Sequence, residues 1–289
     1  MKNMYITISD ESGKHPLDQR FKDGFFVVAV GESAQNYSYR RAFSLYEISC
    51  CSKITFADVE SFSEHKCRTN DEKTAQKQCK HETLAIAKKC VGKQLYVISE
   101  LDDIYAADQC YELAKSIGKE GFSVLITHIK NRELFYFEKV RTAFDSIVYL
   151  PDGSEYTLEV LRWLVCGFSI AGLTGTDYGD AHYILTQNKE SICRKIQFCD
   201  SADMKSSFMD FVMKEPIMCD NGNDVVNRLI GVWMPHDYDV NDISYLGYKI
   251  DSISNGEVSM SLLYNEHESD ISWTIIMLSN ISNATTNEE

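Results

Sequence analysis

The chain has 289 residues, of which 44% are hydrophobic and 11% aromatic, so it can bury a sizeable core. Its formal net charge of −14 argues against a general nucleic-acid coat protein, because phosphate contacts need Lys and Arg. The N-terminal residues lack a signal-peptide pattern, and no apolar run reaches the roughly 20 residues of a membrane span. We therefore expect a cytoplasmic protein without a membrane segment, whose cysteines are reduced and mostly buried.

The predicted elements of the first half alternate between strands and helices. Asn70-Asp71 is typical of a helix N-cap, and the helix that follows is expected to end at Gly92. Apolar and β-branched runs predict strands at residues 4–9, 25–30, 94–99, 123–129 and 147–150, with a short extended or mixed element at 53–59. Further helices are expected at 40–46, 105–117, 132–144 and 156–171. Such alternation indicates an α/β sheet with helices against its faces.

The second half is predicted to be richer in strands. After an extended run at 195–199 and a helix at 204–213, strands are expected at 229–234, 245–254, 258–264 and 272–278. Asn255-Gly256 is a strong two-residue hairpin signal between two of them. We expect an α/β domain over residues 1–215, a small antiparallel β extension over 216–279 and a disordered tail over 280–289.

The first candidate site follows the first predicted strand. There Asp10-Glu11-Ser12-Gly13 places two carboxylates at a sharp turn. Carboxylates in this position suit Mg²⁺ or Mn²⁺, which prefer oxygen ligands, and a pair of such ions serves in-line phosphoryl chemistry. An ordinary polar turn after a strand is the alternative that these residues leave open.

Residues 5–13, followed by the apolar run at 25–30, resemble the opening of the family catalogued as domain of unknown function 3800. Asp200-Ser201 and the Asp210 on the helix that follows are similar to a second motif of that family. Here Phe208-Met209 replaces the Gln and Ala usual ahead of the helix Asp. The resemblance implies a ribonuclease H-like fold, a mixed sheet flanked by helices.

The same resemblance implies a divalent-metal-dependent nuclease or phosphodiesterase, expected in microbial or antiviral defence. Its catalytic residues would be Asp10, Glu11, Asp102, Asp200 and Asp210. Asp10, Asp200 and Asp210 would hold Mg²⁺ or Mn²⁺, and nucleic acid would enter through a local groove. The alternative is a catalytically inactive subunit that binds or regulates a protein partner.

Three other clusters of residues have side chains that can bind a metal ion or act in acid–base catalysis. Two Cys and two His suggest Zn²⁺, but their spacing argues against it and Zn²⁺ is not expected; the residues are His65, Cys67, Cys79 and His81. A Gly-rich loop carries Asp177, Asp180 and His182, but such a loop is more often simply a turn. For the middle acidic position, Asp103 and Asp180 are alternatives to Asp102. Residues 233–237 contain a His-Asp pair, which a strand-to-turn junction explains equally well. The sequence has no phosphate-binding Gly-Lys-Ser/Thr loop, nucleophile elbow or dinucleotide glycine fingerprint, so those enzyme classes are disfavoured.

Overall fold

The computed structural model describes residues 25–31, 54–60, 62–118, 121–152, 157–166, 178–213, 226–253, 256–265 and 269–281. The chain forms two compact units, Met1–Ala171 and Gly172–Glu289. The domain boundary predicted after residue 215 therefore lies inside the second unit. Within the described residues, no helix has the length and apolar character needed to cross a membrane.

Parallel strands form the sheet of the first unit, in the order β2-β1-β3-β4-β5. They are β1 (Phe25–Val30), β2 (Ile54–Val59), β3 (Gln94–Ser99), β4 (Phe122–His128) and β5 (Ser146–Leu150). Every residue of β3, β4 and β5 is buried, as expected of parallel strands covered on both faces. Such strands are continuous apolar runs, which explains why the sequence located these three within one residue.

The helices of this unit follow its strands: α1 (Phe62–Thr69), α2 (Glu72–Cys90), α3 (Ile104–Ser116), α4 (Phe137–Arg141) and α5 (Thr157–Cys166). Asp71 is the N-cap of α2, as predicted, and its carboxylate accepts bonds from the amides of Lys73 (3.3 Å) and Thr74 (3.2 Å). The single helix predicted at 132–144 is wrong. A 3₁₀ turn over Ile129–Glu133 precedes α4, because Leu134 adopts an extended conformation between them.

Aromatic side chains anchor α5 on the sheet. Tyr96 of β3 is 1% exposed and its hydroxyl donates to the carbonyl of Leu164 in α5, at 3.2 Å. Trp163 of α5 is also 1% exposed. Burying about 200 Å² of an aromatic side chain contributes about 5 kcal/mol at 25 cal/mol per Å². The buried aromatic side chains of β3 and α5 thus stabilise the packing of this helix on the sheet.

The second unit has a mixed sheet in the order β6-β9-β7-β8. Its strands are β6 (Glu190–Phe198), β7 (Arg228–Met234), β8 (Val258–Tyr264) and β9 (Trp273–Asn280), and its helices are α6 (Tyr178–Asn188), α7 (Ser201–Met213) and α8 (Val240–Ile253). β9 is antiparallel to both β6 and β7, whereas β7 and β8 are parallel. The tail predicted from residue 280 overlaps the end of β9, and residues 282–289 lie outside the described part of the chain.

The predicted strand at 245–254 is wrong, because these residues belong mostly to α8. Its Leu246 and Ile250 are buried four residues apart, which is the spacing of one helix face. The hairpin predicted at Asn255-Gly256 is also wrong, because the segment that it would have joined to β8 is helical. β7 and β8 are parallel, so they need a crossover connection, and α8 lies in it.

Candidate functional site

Polar residues collect at the carboxyl ends of the parallel strands in the first unit. In open α/β sheets this edge is where ligands bind. The residues that follow or end the strands are Gly31, Glu60, Glu100, Asp102, Asp103, His128 and Asp152. We call this set the carboxyl edge. It carries five carboxylates and one imidazole, and Lys130 follows β4 at the same edge, so acidic groups outnumber basic ones there.

The loop between β3 and α3 has a strained, well-held backbone. Leu101 is buried and has a φ of +51°, a conformation that costs a residue with a side chain about 1–3 kcal/mol. Its amide donates to Ser99 Oγ at 3.1 Å, and its carbonyl accepts from the Tyr136 hydroxyl at 2.7 Å. These bonds fix the direction in which the next two residues leave the sheet.

Those two residues are aspartates with different roles. Asp103 is the N-cap of α3, and its Oδ1 accepts from the amide of Ala106 at 2.7 Å. Asp102 is exposed, and its Oδ2 lies so close to Gly31 that a Cβ built there would be 2.8 Å away. Burial, followed by the charges of Asp103 and Asp102, raises the pKa of the Tyr136 hydroxyl. The loop is therefore an acidic surface with one carboxylate committed to capping.

An imidazole and a carboxylate meet at the ends of β3 and β4. His128 Nδ1 lies 2.9 Å from Glu100 Oε2, and the two side chains are only 9% and 11% exposed. The buried Nε2 of His128 has no hydrogen-bond partner within the described residues. His128 was not among the residues predicted from the sequence, although a polar residue that ends a buried parallel strand is a signal for this edge.

The chemistry of this edge differs from that of a glycine-rich phosphate loop. Such a loop offers free backbone amides at a helix N-terminus, whereas here Asp103 occupies an amide of the first turn of α3. Asp102 adds a second negative charge beside it. The β3–α3 loop therefore repels a bare phosphate and attracts a divalent cation.

In the second unit, acidic residues begin α7. Asp200 Oδ1 accepts from the amides of Ala202 and Asp203, each at 2.9 Å, and Asp203 Oδ2 accepts from the amide of Cys199 at 3.0 Å. Asp210 is exposed in the last turn of α7. At about 1.5 Å rise per residue, Asp210 is about 15 Å along the helix from Asp200, too far for one ion to bind both at ligand distances of about 2.0–2.6 Å.

The remaining predicted residues have varied surroundings. Asp10 and Glu11 lie outside the described residues, as does Asp177. Asp180 and His182 are in the first turns of α6 rather than on a loop. His236 has a structural role, since its Nε2 lies 2.8 Å from the Asn265 carbonyl oxygen and its ring stacks on Tyr264 with centroids 4.9 Å apart.

The two Cys and two His considered for Zn²⁺ do not form one site. His65 and Cys79 are buried, whereas Cys67 and His81 are exposed. Burial raises the pKa of the Cys79 thiol to about 11, and the charge of Glu82 adds to this. The thiol is therefore protonated near neutral pH, where a metal ligand needs the thiolate.

Similarity to known proteins is visible in the fold. No family model matches the sequence, and no curated protein matches it significantly. Solved structures with the same FtsZ/tubulin-like fold include the empty FtsZ dimer of M. jannaschii (TM-score 0.65, 11% identity, covering 93% of each chain). Two others are a GTPγS-bound CetZ2 protofilament of Haloferax volcanii (0.60, 10%, 90% of this chain and 94% of that one) and GDP-form TubZ protofilaments of Bacillus thuringiensis serovar israelensis (0.55, 8%, 96% and 92%).

These similarities correct the sequence-based assignment of fold and function. The predicted α/β class with a mixed sheet flanked by helices is confirmed, but the ribonuclease H-like fold and the resemblance to domain of unknown function 3800 are wrong. Four further predictions are therefore wrong as well: the nuclease, its role in antiviral defence, its Mg²⁺ or Mn²⁺ centre and the inactive regulatory subunit. Nothing supports a nucleic-acid partner. The Asp-Glu-Ser-Gly motif led to the wrong family because polar turns at strand ends are common to many α/β folds.

Proposed function

We propose that this chain is a filament-forming protein, whose copies associate head to tail in a guanine-nucleotide-dependent manner. The observation that carries the proposal is a fold shared over nine-tenths or more of both chains with proteins described as protofilaments. The match extends over both units rather than one. A head-to-tail contact uses two different surfaces of the subunit, so it continues into an open filament when its rotation does not close a ring.

The proposed nucleotide site is the carboxyl edge of the first unit. Its support is the general position of ligands in open α/β sheets and the GTPγS and GDP described for two of the similar structures. The backbone of Gly31 has a φ of +88°, and its missing side chain makes room at the end of β1 for the carboxylate of Asp102. The acidic β3–α3 loop faces the same edge.

A divalent cation is part of this proposal, because phosphates and carboxylates repel each other without one. Mg²⁺ binds through one or two carboxylates together with substrate phosphates. Asp102 is the residue we assign to that cation, since its carboxylate is exposed at the carboxyl end of β3, beside Gly31 at the end of β1. The role predicted for Asp102 thus changes from a catalytic residue of a nuclease to a ligand of the cation that binds the nucleotide phosphates.

Asp200 is proposed to act from the second surface of a head-to-tail contact. It is exposed at a strand-to-helix loop, and its capping bonds need only a side-chain oxygen. Asn caps helices as well as Asp does, so Asp200→Asn keeps the helix while removing the charge. Asp210 has no role in this proposal, and no observation tests the functional role predicted for it.

Nucleotide binding is tested with a fluorescent GTP analogue and the full chain, followed by anisotropy with Mg²⁺ or with EDTA. We expect binding that requires Mg²⁺ and weakens at least tenfold in Asp102→Asn. Glu112→Gln is the matched control, because Glu112 is exposed on α3, about 12 Å along the helix axis from the first residue of that helix. Binding that is equal in EDTA, or unchanged in Asp102→Asn, would contradict the assignment of Asp102.

A further inference from the structure

A second group of potential ligands lies where β2 leads into the first two helices. Glu60 directly follows β2, His65 is in α1 and Glu82 is in the middle of α2. One ligand atom from each of the three lies within 4.8 Å of the other two. The cluster is distinct from the β3–α3 loop to which the nucleotide cation was assigned.

His65 is the centre of the cluster, and its two ring nitrogens have different surroundings. The side chain is 0% exposed. Nε2 lies 3.1 Å from Glu82 Oε2, which is hydrogen-bonding distance. Nδ1 is buried and has no hydrogen-bond partner among the residues that the structure describes, and it lies 3.6 Å from Glu60 Oε2.

A buried nitrogen without a partner needs a physical explanation. Leaving such a polar atom unsatisfied costs about 1–3 kcal/mol, and an ion is one of the recognised ways in which the cost is removed. With a proton on Nε2 donated to Glu82, Nδ1 presents its lone pair. A histidine that binds a metal through one nitrogen and donates the other N–H to a carboxylate is the usual arrangement in metalloproteins.

The gap between Nδ1 and Glu60 fits a first-row transition ion. Zn–N and Zn–O bonds of about 2.0–2.2 Å at a tetrahedral angle separate the two ligand atoms by about 3.3–3.6 Å. The observed separation is 3.6 Å, so the two side chains need hardly move. Imidazole with carboxylate favours Zn²⁺ over Mg²⁺ or Ca²⁺, and water can complete the coordination because the Glu60 side chain is 30% exposed.

One neighbouring residue opposes the ion. Arg68 Nη1 lies 2.6 Å from Glu60 Oε2, the same oxygen that would coordinate, and the Arg68 side chain is 61% exposed. The guanidinium therefore competes with a cation for Glu60, and its exposure allows it to turn into solvent when the ion binds. This competition gives the site a distinctive test.

We propose that Glu60 and His65 Nδ1 bind a Zn²⁺-like divalent transition ion, with Glu82 orienting the imidazole. The ion would join the end of β2 to the interface of α1 and α2. Its ligand Glu60 belongs to the carboxyl edge, but its ligands do not include Asp102, the residue assigned to the nucleotide cation. This site differs from the Cys and His set considered from the sequence, with which it shares only His65.

The experiment is a Zn²⁺ titration of the EDTA-treated full chain against a chromophoric chelator. The wild type should bind one ion at this site. Glu82→Gln should weaken binding 10- to 100-fold, the range found for such supporting carboxylates, and Glu60→Gln should weaken it at least as much. Arg68→Gln should tighten binding, because it removes the competing charge without touching a ligand. Both Glu side chains are partly exposed, so these variants are expected to fold.

Cys67→Ser combined with His81→Gln is the matched control, because both residues are exposed on the same helices. It should bind Zn²⁺ as the wild type does. Co²⁺ in place of Zn²⁺ should give d–d absorption without a thiolate charge-transfer band. The proposal is overturned if the wild type does not bind Zn²⁺, if the two Glu variants bind it normally, if Arg68→Gln binds more weakly, or if a thiolate band appears.

Discussion

Replacing Gly31 by Ala would test the geometry of the carboxyl edge. The φ of +88° at this position costs a residue with a Cβ about 1–2 kcal/mol. The new Cβ would also lie 2.8 Å from Asp102 Oδ2, which is closer than real Cβ contacts, so the Asp102 side chain must move. Because Asp102 is exposed and can rotate, we expect the contact to add less than the strain, for a total loss of about 1–3 kcal/mol.

Variants at two other glycines distinguish the cost of backbone strain from the cost of the contact with Asp102. Gly118 has a similar φ of +74°, but nothing lies within 4 Å of an added Cβ, so Gly118→Ala should show the strain alone. Gly247 lies inside α8 with the same open space and no positive φ, and Gly247→Ala should stabilise the protein by about 0.5–1 kcal/mol.

Urea denaturation followed by circular dichroism measures all three changes. The double variant Gly31→Ala with Asp102→Ala should recover the part of the loss that comes from the contact. A Gly31→Ala protein as stable as the wild type, or one less affected than Gly118→Ala, would refute the geometry of this edge.

Three further predictions concern caps and thiols. Asp103→Ala should cost about 1 kcal/mol in urea unfolding and Asp103→Asn only a few tenths, because Asn also caps α3; equal losses would show that the charge matters instead. The bond from the Thr74 hydroxyl lowers the pKa of Asp71 below its usual range, so its stabilising effect is complete above the pKa of the unfolded chain and is lost as the pH falls through the lowered pKa. The difference in Tm between wild type and Asp71→Ala should therefore shrink below about pH 4, and a constant difference would argue against the bond. Burial raises the pKa of Cys110 to about 12, so mass spectrometry after brief thiol labelling of the native protein should find exposed Cys67 modified and Cys110 not; rapid labelling of Cys110 would mean that α3 opens readily.

The fold was predictable wherever local pattern and tertiary environment agree. The strand at 94–99 and the helix that begins after Asp71 matched the structure, because complete burial produces an apolar run and a capping carboxylate has a local signature. The α8 segment failed for the opposite reason. Its aromatic and β-branched residues favour a strand locally, but the parallel pairing of β7 and β8, which no local pattern reveals, requires a helical crossover.

The candidate site was only partly accessible from sequence. Asp102 was a candidate because an acidic segment, residues 100–103, follows a buried strand, and its role stays a prediction. Gly31, which lies next to the Asp102 carboxylate, directly follows a different strand and has no side chain that would mark it as a site residue in the sequence. His128 and the His65 cluster depend on contacts between elements far apart in the chain, and residues of ordinary spacing give no sign of such contacts.

The most direct test of the proposed function is negative-stain electron microscopy of the full chain, paired with sedimentation, with GTP and Mg²⁺ and without nucleotide. The account predicts linear filaments that pellet with GTP and Mg²⁺, are absent without nucleotide, and are diminished in Asp102→Asn and Asp200→Asn while Glu112→Gln assembles normally. A chain that stays monomeric at all concentrations with GTP and Mg²⁺, or that forms only closed dimers, would contradict it.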